Sequence, residues 1–151
     1  MSKYVHLITV GKLKNKELEK IEMDYLKRVT NLKVHEVKAK AENKNLEGKV
    51  VISKIEELTK GSNSYPIVLT EWGKEYTSTE FSKFVFSKIE SGLNIVFVIC
   101  GAEGPSEELL SYSKSQFSLS KLTFPHKIAR LLFIEQFYRA ITIHNNHPYH
   151  K

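Results

Sequence analysis

The unbroken apolar run Ile95-Val96-Phe97-Val98-Ile99 places the tightest constraint on this chain. A strand with no polar residue on either face has to be covered on both, which is the position of an inner strand in a parallel sheet with helices on its two sides. The run breaks at Cys100-Gly101-Ala102-Glu103-Gly104-Pro105, where two glycines let the backbone turn sharply or approach a ligand closely. A second buried strand, residues 66–70, runs into Glu71-Trp72-Gly73-Lys74. In open α/β sheets ligands bind beyond the carboxyl ends of the strands, so Leu69 to Gly73 and Cys100 to Gly104 are the first candidate site segments. The glycines do not make a P-loop, which needs a following Lys-Ser/Thr pair. Nor do they make the dinucleotide fingerprint, whose glycines lie in the first strand-helix turn.

The remainder of the chain alternates around these strands. Residues 4–10 are β-branched and aromatic up to Gly11 and read as a strand. Residues 16–29 carry Leu18, Ile21, Tyr25, Leu26 and Val29 at helical spacing. A short strand is expected at 32–37. Residues 38–49 hold Lys38, Lys40, Lys44 and Lys49 among Glu42 and Glu47, and read as a solvated loop, with contact to phosphate as the sharper alternative. Helical patterns return at 50–60, ending at Gly61, and after Thr77-Ser78-Thr79-Glu80, a suitable helix start. A short helix follows Ser106, residues 117–120 and 122–124 read as one strand, and Pro125 stops it. Strand and helix thus alternate about five times, which argues for an α/β fold with a largely parallel sheet.

The helix predicted over 126–143 is apolar almost all the way round, through Ile128, Leu131, Leu132, Phe133, Ile134, Phe137, Tyr138, Ile141 and Ile143. A sheet covers only one side of such a helix, so a homodimer formed largely through it is expected. Glu135 and Arg139 lie four apart and can pair. The tail that follows, His147-Pro148-Tyr149-His150-Lys151, combines aromatic and basic groups suited to stacking on bases and touching phosphate.

At 151 residues and 41% hydrophobic content, the chain can bury one core and is expected to form a single domain over 1–151. Its net charge of +6 favours a polyanionic partner. One cysteine excludes an intramolecular disulfide framework and suits a reducing, cytoplasmic setting. No signal peptide or membrane span is expected, because the apolar start is short and interrupted by His6. No metal is expected, since the histidines and the cysteine show no ligand spacing.

Four motifs carry a resemblance: Cys100-Gly-Ala-Glu-Gly104, Ser118-Leu-Ser-Lys-Leu-Thr-Phe-Pro-His126, Glu135-Gln-Phe-Tyr-Arg-Ala140 and Asn146-His-Pro-Tyr-His-Lys151. In these, and in length and element order, the chain closely resembles the small SPOUT-class RNA methyltransferases. Specifically, it resembles the ribosomal RNA large subunit methyltransferase H family, which methylates N3 of a pseudouridine in helix 69 of 23S rRNA. The family's usual Gly-Gly-x-x-Gly begins here with Cys100. The resemblance implies a SPOUT-type α/β knot, with the last helix threaded through the preceding chain. It implies S-adenosylmethionine in that knot, lined by Leu69, Gly101 and the segment Leu119, Ser120, Lys121, Leu122, Thr123 and Phe124. It implies 23S rRNA in the ribosome as partner. Arg139, His150 and Lys151 are then the candidates for positioning the substrate, with His126 and His147 behind them. His147, Tyr149, His150 and Lys151 would contact it, the tail reaching across the dimer into the partner's site. Two alternatives stay open: a SPOUT enzyme acting on transfer RNA or another ribosomal position, and a non-catalytic RNA-binding or ribosome-assembly factor.

Overall fold

The computed structural model describes residues 4–40 and 43–151. Strands β1 (Val5–Val10), β2 (Leu32–Val37), β3 (Ser64–Glu75), β4 (Asn94–Ile99) and β5 (Ser115–Ser118) form one sheet. Its order is β2-β1-β4-β3-β5, and every pairing is parallel. The apolar run 95–99 therefore lies at the centre, as its composition requires. Period-two alternation divides its side chains between two cores. Ile95, Phe97 and Ile99 join Phe81, Phe133 and Phe137 on one face, while Val96 and Val98 join Val51, Ile55 and Leu109 on the other. The helices divide accordingly. Helices α1 (Lys16–Leu26), α3 (Ser78–Glu90) and α5 (His126–His144) cover the first face, and α2 (Lys44–Thr59) and α4 (Glu107–Tyr112) the second.

Local chemistry accounts for where four of the five helices begin. Thr77 and Glu80 form a reciprocal capping box on α3, with Glu80 N–H donating to Thr77 Oγ1 at 3.1 Å and Thr77 N–H donating to Glu80 Oε1 at 2.8 Å. Asn15, Asn43 and Ser106 each accept a backbone N–H from the first turn of the helix that follows.

Four expectations are corrected. Residues 44–49 are not loop but the first turns of α2, because Asn43 caps the helix there. Lys44 and Lys49 face solvent, while Glu47 and Gly48 turn inward. Glu42, named in the same stretch, lies outside the described residues. Ile21 is not part of the buried stripe of α1; it is 44% exposed, and Glu22 takes the inward position because a buried arginine waits for it there. Strand β3 continues past Thr70 to Glu75, and β5 ends at Ser118, so residues 119–125 form a loop instead of prolonging the strand. Among the described residues no helix is long and apolar enough to cross a membrane.

Candidate active site

Because every strand is parallel, all five carboxyl ends emerge on one edge of the sheet. Three of the segments there meet the first turn of α5 and enclose a cleft of about 520 Å³, a size suited to a cofactor. Its walls come from Leu69 to Trp72 after the straight part of β3, from Ile99 to Pro105 after β4, and from Leu119 to Pro125 after β5, with His126 and Ala129 of α5. Of the expected cofactor residues, Leu69, Gly101, Leu119, Ser120, Leu122, Thr123 and Phe124 all line this cleft. Lys121 does not. Its side chain is 86% exposed, with Nζ 3.9 Å from Glu75 Oε1.

The β3 wall is shaped by an irregularity in the ladder. Leu69 pairs with Phe117, the next four residues loop out, and Lys74 pairs with Phe117 again. A bulge of this kind re-aims side chains, here placing Trp72, 65% exposed, on the lip of the cleft. Gly73 makes the return possible, since a Cβ there would lie 2.7 Å from the Phe117 nitrogen. On the β4 side, Gly101 lies against Glu47, where an added Cβ would be 3.3 Å from Oε1. Glu47 is buried, and its Oε2 accepts the Lys40 N–H at 2.8 Å. Cys100, where the resemblance leads one to expect glycine, has no left-handed backbone. Burial, together with the nearby Glu47 carboxylate, pushes its thiol up to about 12, so it stays protonated and serves as wall, not nucleophile. After β5, the Ser118 hydroxyl lies 2.9 Å from the Ser120 carbonyl and 3.2 Å from that of Glu71. Leu122 N–H donates to Ser120 Oγ at 3.0 Å. These bonds join the β5 loop to the β3 bulge.

Next to Ala129, Arg130 is buried and carries the contacts that fix α5. It forms a bidentate pair with Glu22 of α1 at 2.8 Å for both bonds and meets Glu36 of β2 at 2.7 Å and Thr9 of β1 at 3.2 Å. Sequence periodicity left this group unseen. The available signal was Glu22 lying four residues from both Leu18 and Leu26, on the inward stripe of α1.

The tail packs on the other half of α5. Glu135 Oε2 accepts from Arg139 Nη2 at 2.6 Å and from the Tyr149 hydroxyl at 2.8 Å. The Arg139 guanidinium lies 4.8 Å over the Tyr149 ring, and Tyr149 meets Tyr138 edge-on at 4.7 Å. Arg139 Nη1 is 3.1 Å from His150 Nδ1. Arginine can only donate, so Nδ1 accepts and the His150 proton sits on Nε2, where it is available as a donor. His147 Nδ1 accepts the Tyr149 N–H at 3.2 Å, and Lys151 is exposed. The structure thus brings Arg139, His147, Tyr149 and His150 into one cluster, with Lys151 at its end. It does not bring them to the cleft of their own chain: none lines it, and Glu135 to Arg139 lie roughly 9–15 Å along the helix axis beyond Ala129. Between cluster and cleft runs an apolar stripe on which Ile128 and Leu132 are each 38% exposed. Among the described residues no group of three or more His, Cys, Asp or Glu side chains could hold a metal ion.

A family model described as "Predicted SPOUT methyltransferase" matches residues 4–150. A protein of Mycoplasmopsis synoviae named ribosomal RNA large subunit methyltransferase H is 44% identical, over 97% of this chain and 99% of the relative. Proteins of the same name are 42% identical in Prochlorococcus marinus NATL2A, over 96% of this chain and 94% of the relative, and 35% identical in Christiangramia forsetii, over 97% and 98%. Among solved structures, the SpoU methyltransferase AviRb from Streptomyces viridochromogenes, in complex with AdoMet, matches with a TM-score of 0.53 over 92% of this chain and 58% of that one. At 8% identity, that likeness speaks for the fold. With a match across nearly its whole length and relatives well above 30% identity, the chain belongs to the SPOUT methyltransferase family.

Proposed function

We propose that this protein transfers a methyl group from S-adenosylmethionine to N3 of a pseudouridine in helix 69 of 23S rRNA, acting as a homodimer in the cytoplasm. The observation that carries this reading is the separation on α5: a cofactor-sized cleft at its start, a basic aromatic cluster at its end, and an exposed apolar stripe between them. The cleft suits the cofactor. Leu69, Leu119, Leu122 and Phe124 offer apolar surface for an adenine ring, and the backbone of the turns after β4 and β5 can meet its polar edge. When bound, S-adenosylmethionine supplies an electrophilic methyl group on a sulfonium. The SPOUT fold implies the threaded path of α5, which holds the 119–125 loop over the cleft.

The chain's own residues have to place a ring nitrogen in line with that methyl group, and such positioning alone is worth several orders of magnitude in rate. A partner docked on the Ile128 and Leu132 stripe brings its Arg139, His150 and Lys151 to the cleft. Two cations and the His150 Nε2 donor then stabilise the imide anion formed as N3 loses its proton to solvent, and the N3–methyl bond forms as the sulfonium's S–CH3 bond breaks. Tyr149 is held by Glu135, and burial followed by that hydrogen bond raises its phenol, so it remains a neutral surface for stacking.

The test is methyl transfer from labelled S-adenosylmethionine to ribosomes lacking the modification, followed by nucleoside analysis. Label in 3-methylpseudouridine of 23S rRNA is expected. Label in transfer RNA or at another ribosomal position would replace the substrate assignment, and ribosome binding without transfer would replace the enzymatic one.

A further inference from the structure

We propose that the loops following β1 and β2 form a lysine rim that binds the phosphate backbone of the RNA, beside the cofactor cleft at whose mouth the reacting base has to sit. This rests on the reading above that the substrate is RNA. Strand order places both loops on the cleft's own edge of the sheet. The 11–14 loop lies one strand from the 100–105 loop and the 38–40 loop lies two, at roughly 5 and 10 Å. Phosphates flanking a base placed at the mouth of the cleft fall within reach of side chains at those distances.

The loops are held by specific hydrogen bonds. Gly11 N–H donates to the Val37 carbonyl at 2.8 Å, joining the two loops. Leu13 is buried and its N–H donates to Glu36 Oε2 at 3.2 Å, the same oxygen that Arg130 holds at 2.7 Å. With Leu13 turned inward, its neighbours Lys12 and Lys14 are exposed. Lys14 has φ 46, a left-handed conformation that residues other than glycine rarely adopt. In the second loop Lys38 is exposed and Lys40 half-buried, and the Lys40 N–H is tied to Glu47, the carboxylate behind Gly101.

The four lysines are free of direct ion pairs among the described residues. Lys49, Lys54 and Lys121 have Glu108, Glu57 and Glu75 within ion-pair distance, but among the described residues none of Lys12, Lys14, Lys38 and Lys40 has such a partner. Of the carboxylates near these loops, Glu36 and Glu47 are engaged by Arg130 and by backbone N–H groups, whereas Glu17, Glu19 and Glu103 stand in solvent. Lysines are compact point charges suited to phosphate, so the rim fixes position along the backbone and reads no sequence.

The test compares Lys12→Gln with Lys14→Gln as one pair, Lys38→Gln with Lys40→Gln as a second, and Lys60→Gln with Lys114→Gln as a control. The control lysines are exposed at the opposite edge of the sheet and remove the same net charge. Methyl transfer to ribosomes and ribosome co-sedimentation are measured in parallel over a salt series. For each rim pair, KM for ribosomes should rise roughly 3- to 10-fold and the log-log salt slope should fall by about 1 to 2. Turnover at saturating ribosomes and affinity for S-adenosylhomocysteine should stay at the parent values. The rim is overturned if both pairs leave KM and salt slope unchanged, or if the control pair matches them. Lysine-dependent binding without any transfer would overturn the enzymatic reading and keep the rim, whereas transfer with unaltered KM and slope would do the reverse.

Discussion

Gly73 is where the smallest change meets the hardest obstacle. An added methyl group would face Phe117 backbone atoms at 2.7 and 2.9 Å, and backbone cannot swing aside as a side chain can. Gly73→Ala should cost about 1–3 kcal/mol in urea unfolding and displace the bulge that carries Trp72. Trp72 is the only tryptophan and lies on the cleft lip, so its emission reports directly. S-adenosylhomocysteine should shift that emission in the parent and much less in the variant; an emission indifferent to ligand would count against the cleft as the cofactor site. His6 provides a pH signature. It is 7% exposed, with Nδ1 2.9 Å from His35 Nε2. Burial first, then His35, Lys33 and Lys54, lower its pKa from 6.5 to about 4. Between those values the unfolded chain binds the proton and the folded chain does not. Stability from this residue is therefore complete above pH 6.5 and declines as the pH falls toward 4, by up to about 3 kcal/mol. The difference in unfolding free energy between parent and His6→Gln should vary with pH in that window and flatten above it.

At the scale of elements, what could be read from sequence was what a single segment decides alone. Residues 32–37 and 94–99 are strands as expected, and α3 starts at the capping box that Thr77 and Glu80 spell out. That Gly101, Leu119, Ser120, Leu122, Thr123 and Phe124 line one cleft was likewise legible, because strand ends and turn residues are local features; the outward direction of Lys121 was not, since it depends on the loop's internal bonds. The early start of α2 was hidden because its first turns alternate charges toward solvent with Glu47 and Gly48 toward the sheet. The bulge in β3 was hidden because Phe117, which defines it, comes more than forty residues later. The Arg130 cluster was hidden for the same reason: Glu22 is 108 residues away, and no periodicity in one helix specifies the rotation of another. That cluster should dominate the stability of α5. Arg130→Ala leaves Glu22 buried and unpaired and should cost about 3–5 kcal/mol, whereas Arg130→Met combined with Glu22→Leu should recover most of the loss. Equal losses in the single and double variants would show that packing, and not the stranded carboxylate, carries the effect.

At the scale of the whole molecule, cleft and tail cluster lie apart on one helix, and the two can cooperate only if each active site is built from two chains. In the dimer proposed above, isologous pairing through the Ile128 and Leu132 stripe would do this twice. Leu132→Glu should then yield monomers by light scattering, with S-adenosylhomocysteine still bound and ribosome methylation lost. A mixing experiment is more discriminating. One variant lacks residues 147–151 and keeps its cleft; the other carries Gly101→Leu, whose side chain would push into Glu47 and Val10 and spoil the cleft while leaving the tail intact. Neither homodimer has a complete site. After random subunit exchange half the dimers are mixed, and each holds one cleft faced by one intact tail, so activity should return to about a quarter of the parent level. If each tail served its own chain, every subunit in the mixture would still be defective and activity would stay at zero. The recovered fraction thus measures directly whether the cationic tip works in trans, without requiring a structure of the complex with RNA.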